Sequence, residues 1–240
     1  MTDPSLLLTV TLVIPISDAH STRYAPIVTY ALMALQVAGF AYQQTLPADA
    51  LDALIERHGL VPVELAALHD PDALLRPFSS LFLHGSAAHL IFNLWCLWIF
   101  ARTIEDLLGH LRFLVFYLAV ASCAGAVQVL VEPLSITPMI GSSGAVAGVL
   151  AAYLRLSPRG RVRSAFPLLF VFVQEVSAAV FIALWFVLQL AGGFASLTGP
   201  AAAGVAFFAT VGGFTFGLCF GPVLRPARNA TLGFRRPEFY

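Results

Sequence analysis

The sequence predicts an all-α membrane protein of six spanning helices, and three observations carry that reading. Of 240 residues, 59% are hydrophobic and only 11% charged, with a mean hydropathy of +0.85; a soluble domain carries about a quarter charged residues. Six stretches are apolar enough and long enough to cross a bilayer, roughly 26–43, 81–100, 111–131, 139–157, 177–196 and 203–224. Apolar residues surround each stretch instead of forming one face, as a lipid solvent requires. In lipid the backbone must satisfy its own hydrogen bonds, which leaves the helix.

Orientation follows from the arginines. The chain has no lysine, and 11 of its 13 arginines fall in the N-terminal segment, the 101–112 and 155–165 loops and the C-terminal tail. The opposite side keeps Arg57 and Arg76 beside six acids between Asp49 and Asp72. An even number of spans then places both termini in the cytoplasm. The expected organisation is an N-terminal segment 1–25, a membrane domain 26–224 and a cytoplasmic tail 225–240. The apolar run Leu6–Ile16 is too short to span, and it lacks the basic region and small-residue cleavage site of a signal peptide.

Net charge is zero, so no polyanion-binding surface is implied and nucleic acid is not an expected partner. Cys96, Cys123 and Cys219 sit in apolar stretches without metal-ligand spacing. They read as small buried hydrophobes, and neither a disulfide framework, a metal nor a cofactor is expected.

The longest loop, 44–80, faces outside and is punctuated by Pro47, Pro62, Pro71 and Pro77. Within it Leu51–His58 and Val63–Leu68 suit short interfacial helices. Residues 166–176 suit a surface-lying segment before the fifth span. No internal repeat is visible, and no carboxylate lies at mid-span, which speaks against a transporter lined by His84, His89 and Asn93.

Polar groups at membrane depth are costly and mark functional sites. In the second span His89 and Asn93 are four residues apart and share a helix face. His84 points elsewhere or precedes the helix. Either of the pair alone suits polar glue between helices; together they point to a site.

The fourth span opens with Gly141-Ser142-Ser143-Gly144. Its glycines allow close backbone approach, and unpaired amides at the helix start would stabilise an oxyanion. Taken by itself, the tetrapeptide is fully explained by a capped helix. Gly213, Gly217 and Gly221 in the sixth span, with Gly144 and Gly148 in the fourth, form small-residue stripes that let the two helices touch.

With these motifs the chain resembles the rhomboid family of intramembrane serine proteases, from about Pro15 to Leu224. His84 and His89-Leu90-Ile91-Phe92-Asn93 match the second-span motif. Gly141-Ser142-Ser143-Gly144 matches GxSG, which puts the nucleophile at Ser143 and not Ser142. Arg76 matches the outer-loop arginine, although Leu75 replaces its tryptophan partner. The segment Arg102–Gly109, with Glu105, is typical of bacterial members. The resemblance implies a six-helix rhomboid-like bundle in a bacterial inner membrane, acting on transmembrane segments of other proteins. It also implies a Ser–His dyad, with His89, Asn93 and the Ser143 amide holding the oxyanion.

One member of that dyad is missing. The sixth-span pattern Ala-His-x-Gly-Gly reads here Ala209-Thr210-Val211-Gly212-Gly213, and no histidine follows His110. Ala147 stands where some members place a supporting tyrosine. A serine hydroxyl needs an adjacent base, and threonine offers no usable protonation change. General-base catalysis contributes roughly 10²–10⁴-fold. The expected activity is therefore impaired or absent, with a catalytically silent binder of transmembrane clients as the alternative. Recruitment of His89 as base would remove it from the oxyanion site.

Overall fold

A computed structural model describes residues 14–20, 22–67, 71–167, 171–198 and 207–224. Each expected apolar stretch contains an apolar helix. These are α1 (Ile27–Gln43), α5 (Ala87–Cys96) continuing through a π turn (Leu97–Ala101) into α6 (Arg102–Leu108), α7 (His110–Val131), α8 (Ser143–Leu156), α9 (Ala178–Thr198) and α10 (Phe207–Phe220). Among the described residues, Ala87–Leu108, His110–Val131 and Phe207–Leu224 are long and apolar enough to cross a membrane, whereas α1, α8 and the described part of α9 are shorter.

The ends have local causes. The second span begins at Ala87 rather than near 81, because the Ser86 hydroxyl caps it by accepting from the His89 amide at 3.1 Å. His84 therefore precedes the helix. Gly109, at φ +82°, separates α6 from α7 in a conformation that glycine adopts freely. Pro133 follows the end of α7 and Pro158 the end of α8, where neither ring fits a continuing helix.

The outer loop forms α2 (Ala48–His58), α3 (Pro62–Ala67), a 3₁₀ turn (Pro71–Leu75), α4 (Arg76–Ser79) and a second 3₁₀ turn (Ser80–Phe82). Its two main helices match the expected interfacial pair within a few residues. The loop is laced to the connection before α8: Leu60 and Met139 exchange amide–carbonyl bonds of 3.0 and 2.8 Å, and the Val63 amide donates to Ser135 at 3.1 Å.

A small sheet joins the helical fold, and the sequence reading did not foresee it. Strands β1 (Ile14–Asp18), β2 (Arg161–Pro167) and β3 (Val171–Ser177) pair antiparallel in the order β1-β2-β3. The surface-lying segment expected at 166–176 is instead mostly the β2–β3 hairpin. Alternation explains it: Arg161 and Arg163 are exposed while Val162 and Ser164 are buried. Asp18 ties the sheet to the bundle, accepting from the Tyr153 hydroxyl at 2.9 Å and from the Thr103 hydroxyl.

At the centre lies α8, buried from Gly144 to Tyr153. Its stripe Gly144–Gly148–Ala152 packs on Ala209–Gly213–Gly217–Gly221. A Cβ built on Gly213 would stand 2.0 Å from the Gly144 carbonyl oxygen, and one on Gly217 would stand 2.1 Å from that of Gly148. The expected helix contact thus runs the length of α8 and fixes its first residue in place. The cysteines divide: Cys96 is buried, Cys123 is partly exposed and Cys219 is exposed. Only the first matches the buried role expected of all three, because the others sit on outward faces of α7 and α10. The tail 225–240 and residues 1–13 of the N-terminal segment lie outside the described residues.

Candidate active site

Ser143 is the first residue of α8. Gly141, at φ +106°, turns the chain sharply before it, and its amide donates to the Ser80 carbonyl at 2.9 Å. The first helical bond runs from the Val146 amide to the Ser142 carbonyl. The amides of residues 143–145 therefore have no intrahelical acceptor. The two serines part company here. Ser142 is fully buried and donates to the Gln36 side-chain oxygen at 3.1 Å. Ser143 is partly exposed and lines a cavity of about 30 Å³ with Gly141, Gly144, Ala209, Met139 and Pro77, room for about one water.

A second wall comes from the residues leading into α5. The rings of His84 and His89 meet edge to face, 5.2 Å apart. The His89 ring lies against Gly141, where an added Cβ would stand 2.9 Å from Nε2. Asn93, one turn further on, is 1% exposed, and its Nδ2 has no hydrogen-bond partner among the described residues. Both ring nitrogens of the buried His84 are likewise unpartnered. Burial, and secondarily the neighbouring His89, push the His84 pKa down to about 4. The structure thus brings His84, His89 and the Gly141–Gly144 turn together.

The third wall is the first turn of α10. The Ala209 carbonyl oxygen is 3.3 Å from a Cβ built on Gly144. The Ala209 amide donates to the Gln128 side chain at 3.0 Å. Thr210, the next residue, is 2% exposed. Arg76 sits in the outer loop beside Pro77, which lines the cavity, and pairs with Glu64.

Four polar residues at this site went unread in the sequence: Gln36, Gln43, Tyr117 and Gln128. One signal was present. Thr29, Gln36 and Gln43 recur at seven-residue spacing, which places them on one stripe of α1.

A family model of the rhomboid domain matches residues 71–227. The chain belongs to the rhomboid family. It is thus a multi-pass membrane protein, and the match covers every wall just described, from the outer loop to α10. Among curated proteins, this rhomboid is 32% identical over 136 residues to "Rhomboid protease GluP" of Bacillus subtilis (strain 168), covering 56% of the chain and 26% of that protein. It is 32% identical over 107 residues to the human "Presenilin-associated rhomboid-like protein, mitochondrial", covering 44% of the chain and 28% of that protein. The match therefore spans little more than a quarter of either relative's length.

Proposed function

We propose that this rhomboid is an intramembrane serine endopeptidase by descent, directed at transmembrane segments of other proteins, whose hydrolytic step is impaired at the general base. The observation that carries the reading is Thr210. It is buried on the helical turn whose Ala209 carbonyl seats against Gly144, the residue after Ser143.

The remaining parts suit acyl transfer. Ser143, unlike the hydrogen-bonded Ser142, keeps access to a cavity and acts as the nucleophile. Its own amide, the Asn93 Nδ2 and the His89 ring supply donors for the oxyanion of a tetrahedral intermediate. The glycines at 141 and 144 let a substrate backbone approach. His84 and Arg76 support the two flanks. No group at position 210 removes the Ser143 proton as attack begins, so the step loses at least the roughly 10²–10⁴-fold that a base contributes. The His89 ring lies over Gly141, which supports a role as oxyanion donor.

Thr210 also favours a second reading, a catalytically silent protein that binds transmembrane clients. The same surfaces serve it, with the hydrolytic step gone entirely. The arginine distribution supports both termini in the cytoplasm, and the resemblance of Arg102–Gly109 to bacterial members supports a bacterial inner-membrane location.

The test is cleavage of a helix-destabilised transmembrane substrate in proteoliposomes. The expected result is cleavage weak or indistinguishable from a Ser143→Ala control, and robust cleavage by Thr210→His. Robust wild-type cleavage would remove the claim of impairment. A Thr210→His protein that also fails to cut would remove the claim of peptidase descent at Ser143. Weak cleavage abolished by Ser143→Ala would exclude the silent binder.

A further inference from the structure

The buried face of α1 is almost entirely polar. Its buried residues are Thr29, Leu32, Gln36 and Gln43, a single stripe on a helix otherwise turned outward. Polar groups are costly at membrane depth unless each is bonded, so their partners explain why the stripe exists. Thr29 donates from its hydroxyl to Glu105 at 2.7 Å, anchoring the start of α1 to α6.

Gln36 and Gln43 go elsewhere. The Gln36 oxygen accepts from the Ser142 hydroxyl at 3.1 Å, and its nitrogen donates to the Tyr117 hydroxyl at 3.4 Å. Gln36 thereby joins α1 both to α7 and to the turn before α8. Gln43 grips the His84 peptide with both ends of its amide. Its oxygen accepts from the His84 amide at 2.9 Å, and its nitrogen donates to the His84 carbonyl at 3.3 Å. One glutamine therefore holds the residue before Ser143, and the other holds the residue whose ring abuts His89. The two lie on one rigid helix, about 10 Å apart along its axis.

We infer that Gln36 and Gln43 are positioning residues, and that α1 sets the spacing between the serine wall and the histidine wall. The inference rests on the proposed role of Ser143 and deepens it. It assigns a part in the site to a helix that lies wholly outside the matched residues 71–227. Site geometry of this kind is demanding, since a displacement of about 1 Å costs on the order of 10²-fold in rate.

The experiment has two arms. In the first, Gln36→Met and Gln43→Met are made in the Thr210→His background and Ser143 is labelled with a fluorophosphonate. Each variant should slow labelling by about 10–100-fold while reaching the same labelled end-point, which reports an unchanged folded fraction. In the second, hydrogen exchange is followed in otherwise wild-type protein. Gln36→Met should speed exchange of the amides at 146–148, the first bonded turn of α8, and spare those at 89–91, and Gln43→Met should do the reverse. Unchanged labelling rates, or exchange that rises equally at both walls, overturns the inference. If Thr210→His is never labelled, the nucleophile assignment falls, and the exchange pattern alone decides whether α1 positions the two walls.

Discussion

The His89 ring rests on the α-carbon of Gly141: a Cβ there would stand 2.5 Å from Cε1 and 2.9 Å from Nε2. The second span and the serine turn are thereby in direct contact, and the contact requires the absence of a side chain. Gly141 also sits at φ +106°, where other residues are strained. Gly141→Ala should therefore destabilise the protein by about 1–3 kcal/mol, read by thermal unfolding in detergent. In the Thr210→His background it should also slow Ser143 labelling.

Close packing of α8 on α10 makes a similar demand. Gly213→Ala would drive a methyl group to 2.0 Å from the Gly144 carbonyl oxygen, and backbone on both sides leaves little room to yield. A loss of about 1–3 kcal/mol is expected, as for other overpacked interiors. Gly85→Ala is the control. Its nearest neighbour would be 3.9 Å away, and a change within about 0.5 kcal/mol is expected.

Glu105 fastens the start of α1. Its carboxylate accepts from the Val28 and Thr29 amides at 2.9 and 2.8 Å and from the Thr29 hydroxyl, and it contacts His110 Nδ1 at 2.5 Å. Glu105→Gln keeps one acceptor where four partners converge. The expected cost is about 2 kcal/mol, again measured by thermal unfolding, and a melting point equal to wild type would contradict this account of the α1 anchor.

His84 gives a pH signature. Its pKa, about 4 in the folded protein against an ordinary 6.5, means that the unfolded chain binds the extra proton between those values. The stabilisation is complete above pH 6.5 and is lost as pH falls toward 4. Denaturant titrations across that range should show a slope shallower by up to one proton in His84→Gln than in wild type.

Hydropathy located the apolar helices, because lipid-facing residues must be apolar whatever the fold. The glycine spacing revealed the α8–α10 contact, since only small residues allow it. Gly141–Gly144, His89 and Asn93 stand out in the sequence as a candidate set, and Thr210 stands out only against the rhomboid sixth-span pattern. The sheet was not legible. Its alternation in Arg161–Ala165 is brief and sits in a charged loop, and its partner strand β1 lies more than a hundred residues away in sequence. Gln36 and Gln43 were missed for another reason. A glutamine in an apolar run shows its importance only through its partners, and Ser142, Tyr117 and His84 become its neighbours only on folding. The start of α5 was misplaced because Leu81–Leu83 are as apolar as a helix, and the Ser86 cap decides the boundary.

We propose that Ser143 is placed for catalysis and lacks only its base. The direct measurement is the rate of Ser143 modification by a fluorophosphonate in wild-type protein and in Thr210→His, with Ser143→Ala as the blank. Wild-type labelling should stay at or near the blank, with a gain of at least about 10²-fold in Thr210→His. Equal labelling of wild type and Thr210→His, whether both fast or both absent, would contradict it.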